Sequence, residues 1–97
     1  MAVGVVATLK VQDGKDKDFE AVFRDLAKAV RANEPGNKLY QVCKSRKDAN
    51  TYVVMEIYES GATLHAFGAK LMPILMELGI EAKPTIFDVH NLMESAG

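Results

Sequence analysis

The chain has 97 residues, a formal net charge of -1, a hydrophobic share of 48% and a charged share of 26%, which suits one soluble domain with a core large enough for a fold but tight for an enclosed pocket as well. Near-neutral charge leaves no electrostatic footprint for nucleic acid or an anionic membrane, and no apolar stretch approaches the roughly 20 residues of a membrane span. Cys43 is alone, which excludes an intrachain disulfide and zinc motifs built on paired cysteines and suits a reducing compartment, so a cytoplasmic location is expected.

The first residues, MAVGVVATLKVQDG, have no basic segment ahead of their apolar ones and do not read as a signal peptide. Instead Val3, Val5, Ala7, Leu9 and Val11 recur at every second position, the period of a strand with one buried face. Asp13 and Gly14 break that pattern. Asp16 and Asp18 then place negative charge in a first helical turn, Phe19, Phe23, Leu26 and Val30 repeat at helical spacing, and Lys28 and Arg31 lie where the helix dipole favours cations. This helix, over residues 15–33, must stop at NEPGN, because Pro35 disfavours a helical conformation at Glu34 and Gly36 permits a turn.

A second strand is expected over residues 38–45. The basic run Lys44, Ser45, Arg46 and Lys47 precedes Asp48, Ala49 and Asn50 and reads as a solvated hairpin turn into a third strand over residues 51–59. That third strand is the most informative segment. Its faces are Tyr52, Val54, Glu56, Tyr58 and Val53, Met55, Ile57, both too apolar for open water. Helices of the same chain can cover one face, and a second sheet from an identical subunit is the economical cover for the other. Glu56 raises a separate demand: a buried carboxylate needs a hydrogen-bonding partner or takes up a proton.

Ser60 can cap a second helical region in which Leu64, Phe67 and Leu71 fall on one stripe, Pro73 starts or kinks a further turn, and Gly79 ends the segment. Pro84 then introduces a last strand, TIFDVHNLM, with Phe87 and Val89 on one face and Ile86, Asp88 and His90 on the other. The order strand, helix, strand, strand, helix, strand predicts an α+β ferredoxin-like sandwich, a four-stranded antiparallel sheet with helices on one face. One domain spans the chain, with its core over residues 3–92.

The segment from Pro35 to Phe67, PGNKLYQVCKSRKDANTYVVMEIYESGATLHAF, resembles the antibiotic biosynthesis monooxygenase family, in which Pro-Gly opens the second strand and a Glu-x-Trp/Tyr-x-Ser signature closes the third. Here the signature is Glu56, Tyr58 and Ser60. The resemblance implies a dimeric α+β barrel, joined through the open face of the sheet, with a pocket between sheet and helices in each subunit. It also implies a function: cofactor-independent oxidation of a small phenol or quinol with O2. The alternatives within the same fold are an isomerase or a non-catalytic small-molecule-binding dimer. The family's haem degraders pair an Asn on the first strand with the signature Trp, and the matching positions here are Ala7 and Tyr58, so haem chemistry is not expected. The His that many members carry in the second helix would fall at Phe67, whereas this chain has His65 two positions earlier.

Cofactor-free oxygenation needs an aromatic hydroxyl to lose its proton inside an apolar cavity, so that the electron-rich anion can pass an electron to O2 away from water. The expected catalytic groups are Glu56, Tyr58 and His65; Ala7, Tyr52, Val54, Leu64, Phe67, Met72 and His90 are the expected substrate contacts. Each also has a structural reading: Glu56 as an anchored carboxylate, Tyr58 as a packing residue, Met72 as core filling, His65 and His90 as surface histidines. No Gly-rich phosphate loop, redox cysteine pair or metal-ligand spacing is present, so no cofactor or metal is expected.

Overall fold

The alternation at the start of the chain does produce a strand, β1 (Val3–Lys10), in which Val5, Ala7 and Leu9 are buried. It is followed by α1 (Asp16–Asn33), β2 (Asn37–Lys44), β3 (Thr51–Tyr58), α2 (Gly61–Glu77) and β4 (Glu81–Asp88). The computed structural model describes residues 2–33 and 35–90.

All four strands are antiparallel and lie in the order β2-β3-β1-β4. The register pairs Val5 with both Glu56 of β3 and Ile86 of β4, and Tyr40 of β2 with Glu56. Because side chains alternate across a sheet, this register gathers Tyr40 and Val42, Tyr52 to Tyr58 at every second position, Val3 to Leu9 likewise, and Ala82, Pro84 and Ile86 onto one face. Both helices pack there, α1 over β2 and α2 over β3 and β4. Phe19, Phe23 and Val30 form the buried stripe of α1, each 2% exposed, and burial of a large apolar side chain stabilises the fold by about 1.5–3 kcal/mol.

The ends of α2 follow local chemistry. The Ser60 hydroxyl accepts a hydrogen bond from the Thr63 amide at 3.3 Å, which satisfies one of the orphan donors of the first turn. At the other end Gly79 takes φ +67°, the left-handed conformation that terminates a helix without a Cβ clash. Pro73 lies inside α2, which runs on to Glu77.

The last strand differs from its expected span. It starts at Glu81, before Pro84, and ends at Asp88; Asn91, Leu92 and Met93 of the expected strand lie outside the described residues. Proline is tolerated within β4 because the strand is at the sheet edge and pairs with β1 alone, so its outer backbone side needs no ladder donor. The opposite sheet face carries Val6, Leu39, Met55 and Phe87, which are 40%, 41%, 38% and 51% exposed. No helix among the described residues is long and apolar enough to cross a membrane.

Candidate active site

Between the helix-covered sheet face and α2 lies a cavity of about 550 Å3. Its floor is Val5, Ala7 and Leu9 of β1 with Val54 and Glu56 of β3, its roof is α2, and Tyr40 and Phe23 close one end. Those residues are buried, whereas His65, Met72, Pro84 and Ile86, which also line it, are exposed. The cavity therefore opens between α2 and the edge strand β4, and its deep end is at β2 and β3.

Glu56 supplies the polar group of the deep end. It is 7% exposed, and its Oε1 accepts a hydrogen bond from the Tyr58 hydroxyl at 2.8 Å. The two residues are two apart on one strand and so share a face. The partner demanded by the buried carboxylate is thus its strand neighbour. Burial pushes the Glu56 carboxyl above the usual carboxylate range, and the Tyr58 bond partly opposes that shift. The Tyr58 hydroxyl is itself driven above its ordinary value, first by burial and then by the bond to Glu56, so it stays protonated and donates.

Tyr40 completes this corner from the neighbouring strand. It pairs across the ladder with Glu56 and is 4% exposed. Its hydroxyl is the one buried side-chain polar atom among the described residues with no hydrogen-bond partner. A buried hydroxyl left unpaired costs about 1–3 kcal/mol. Burial, with the charge of Glu56 as a second cause, raises its pKa beyond the ordinary phenol range. Phe67 of α2 packs between the two tyrosines, edge-on to Tyr40 with ring centres 5.8 Å apart and tilted against Tyr58 at 5.9 Å. Phe67 is thus an apolar contact shared by both rings.

The expected site residues divide accordingly. Ala7, Val54, Glu56, Leu64, His65, Phe67 and Met72 all line the cavity. Tyr58 does not: it is 0% exposed and lies behind Glu56, so its hydroxyl acts on the carboxylate rather than on cavity contents. Tyr52 also departs from expectation. Its hydroxyl donates to Glu20 Oε2, and Lys44 joins the same cluster at 3.0 Å from Glu20 and 3.2 Å from Asp16. Tyr52 pins α1 to the sheet and lines a separate cleft with Phe19, Glu20 and Lys44. His90 is exposed beyond the end of β4 and is not part of the cavity wall. Tyr40 was not among the expected site residues; the clue available beforehand was the short hairpin, whose register sets Tyr40 against Glu56. Among the described residues, no group of three or more His, Cys, Asp or Glu side chains is placed to hold a metal ion.

This arrangement can accept a proton at Glu56 from a hydroxyl group held in an apolar enclosure, because a carboxylate destabilised by burial is a stronger base than one in water. Comparison with known proteins places the chain among others of its shape. A structure of a candidate antibiotic biosynthesis monooxygenase from Caulobacter crescentus matches at 36% identity and TM-score 0.80, over 93% of this chain and 91% of that one. SnoaB, a cofactor-independent oxygenase from Streptomyces nogalater, shares the fold at 22% identity and TM-score 0.77, over 95% and 96% of the two chains. A candidate antibiotic biosynthesis monooxygenase from Deinococcus radiodurans does so at 18% identity and TM-score 0.78, over 94% of each chain. Comparison with curated protein sequences gives no match. The sequence profile of the antibiotic biosynthesis monooxygenase family matches residues 2–69, more than two thirds of the chain, and the protein belongs to that family.

Proposed function

We propose that the protein is a cofactor-independent monooxygenase that oxidises a small phenol or quinol with O2 in the cavity between the sheet and α2. The observation that carries this reading is Glu56, a buried carboxylate with one oxygen engaged by Tyr58, set in the floor of an apolar cavity of about 550 Å3, a size that suits a small aromatic ligand. Glu56 takes the phenolic proton. The resulting anion gives an electron to O2, the radical pair recombines at a ring carbon, and loss of water leaves a quinone. For a phenol, one oxygen atom enters the product, the other leaves as water, and the substrate supplies both electrons. His65, at the cavity wall on the exposed side of α2, is placed to relay protons to solvent. Ala7, Val54, Leu64, Phe67 and Met72 hold the ring and keep water from the intermediates.

The working unit is a cytoplasmic homodimer in which the exposed apolar face formed by Val6, Leu39, Met55 and Phe87 meets the same face of a second copy, since an apolar sheet face of this kind needs a cover. Phe67, in the place of the helix His of many relatives, favours a second reading in which the chain binds its ligand without turning it over. Oxygen consumption by the wild type across a panel of phenols and quinols separates the two. Uptake with quinone formation is expected; binding without uptake supports the second reading, and neither binding nor uptake overturns both.

A further inference from the structure

We infer that the cleft between α1 and β2 is a second small-molecule site, one that takes an aromatic carboxylate with its acid group on Arg24 and Arg31. The cleft has a volume of about 300 Å3, the lower end of the range for small-ligand pockets. It lies at the margin of the sheet, where β2 is the edge strand and has no outer neighbour. Phe23 and Tyr40, which are 2% and 4% exposed, line both the cleft and the cavity and so stand between them. The two sites are therefore back to back, and the inference is independent of the phenol chemistry proposed for the cavity.

The charges that line the cleft do not balance. Lys44 Nζ is 3.0 Å from Glu20 Oε2 and 3.2 Å from Asp16 Oδ2, and the Tyr52 hydroxyl donates to the same Glu20 oxygen. Those bonds, the one from Tyr52 first and the one from Lys44 second, hold the Glu20 carboxyl below its ordinary range, so the anion and the lysine are engaged with each other. Arg24 and Arg31 also line the cleft, and among the described residues neither has an ion pair. They are seven residues apart on α1, two turns or about 10 Å, and so share a face with Ala27 between them. Ala27 puts only a methyl group between the two longer side chains, above a floor of Phe23, Tyr40 and Val42. A guanidinium presents a planar fork that matches a carboxylate, and the floor suits the flat apolar body that carries it. Glu20 lies one turn before Arg24, so the ligand's acid sits toward Ala27 and Arg31, away from that anion.

The test is a titration of the wild type with 2-naphthoate and with its neutral analogue 2-naphthamide, followed by backbone-amide NMR. The naphthoate titration is repeated on the double variant Arg24→Gln, Arg31→Gln and on Lys28→Gln, which removes a charge from α1 outside the cleft wall. Naphthoate is expected to shift the amides of Ala27, Gln41 and Val42 and to bind more tightly than naphthamide. The double variant should bind it roughly five- to tenfold more weakly, the size expected for two ion pairs between exposed groups, and Lys28→Gln should bind it as the wild type does. The melting temperature of the double variant should be unchanged, because neither arginine has an ion pair to lose; were it lowered, the comparison of acid with amide on the wild type would still decide. Shifts confined to cavity residues such as Leu64 and Ile86, equal affinity for acid and amide, undiminished binding by the double variant, or no binding at all would each overturn the inference. None of these results bears on oxygen uptake with phenols, which reports on the cavity alone.

Discussion

Replacing Glu56 by Gln separates a base from an anchor, and the structure gives the size of each effect. The amide oxygen of Gln can accept the Tyr58 hydrogen bond that Glu56 Oε1 now receives at 2.8 Å. The exchange turns a bond to a charged group, worth about 1.5–3 kcal/mol, into a neutral one worth about 0.5–1.5 kcal/mol. Against that loss, Gln carries no charge and escapes the burial penalty that raises the Glu56 pKa. The two terms oppose each other, so stability near neutral pH should stay within about 1 kcal/mol of the wild type, a shift of about 4–8 °C in melting temperature for a domain of this size. The pH dependence has a definite sign. A folded-state pKa raised above the ordinary value of 4.5 means that the wild type has the full contribution of Glu56 below that value and loses it as pH rises through the folded pKa. Gln does not titrate, so the variant should gain on the wild type as pH increases. Turnover should fall about 100- to 10,000-fold, the usual worth of a positioned base. Paired melting curves and oxygen-electrode traces check both halves. Activity within tenfold of wild type, with stability lowered by 3 kcal/mol or more, would refute the assignment of Glu56 as a base and leave it an anchor.

Tyr58→Phe removes the bond that holds the Glu56 pKa down, so the acid limb of the pH–rate profile should move to higher pH; an unmoved limb would mean that the titrating group is not Glu56. Sedimentation at micromolar concentration should show a dimer, with a total interface above roughly 1,200 Å2, and Ile57→Asp, which puts a charge on the open face opposite Gly4 and Leu39, should weaken dimer and fold together. A wild type that stays monomeric, or a variant dimer with unchanged melting temperature, would refute that use of the face. Tyr52→Phe should lower stability by about 1–2 kcal/mol through loss of its bond to Glu20, and leave turnover unchanged because Tyr52 is outside the cavity wall; a selective loss of activity would contradict its structural role. Asp48 is held down to about 2 by its bonds to Thr51, the Asn50 amide and Lys10. Its contribution is present above the ordinary value of 3.8 and is lost as pH falls toward 2, so the exchange protection of the hairpin turn should decrease over that window.

Side-chain direction repeats every second residue in a strand and about every 3.6 in a helix, so whatever depends on local direction was legible in the sequence alone. The order of elements, the buried faces of β1 and β3, the Phe19–Phe23–Val30 stripe of α1, the Ser60 cap and the need of Glu56 for a partner all belong here. Contacts between distant segments decided the rest. Tyr52 was expected to contact substrate, and only the fold brought Glu20, 32 residues away in sequence, to its hydroxyl. Pro84 could be placed inside β4 only once that strand was known to lie at the sheet edge, a property of strand order. Tyr40 became part of the site through its register against Glu56 and through the Phe67 ring set beside it by α2. Local periodicity shows which way a side chain points; only the assembled sheet and helices show what it meets there, because those neighbours are brought together by long-range pairing and packing.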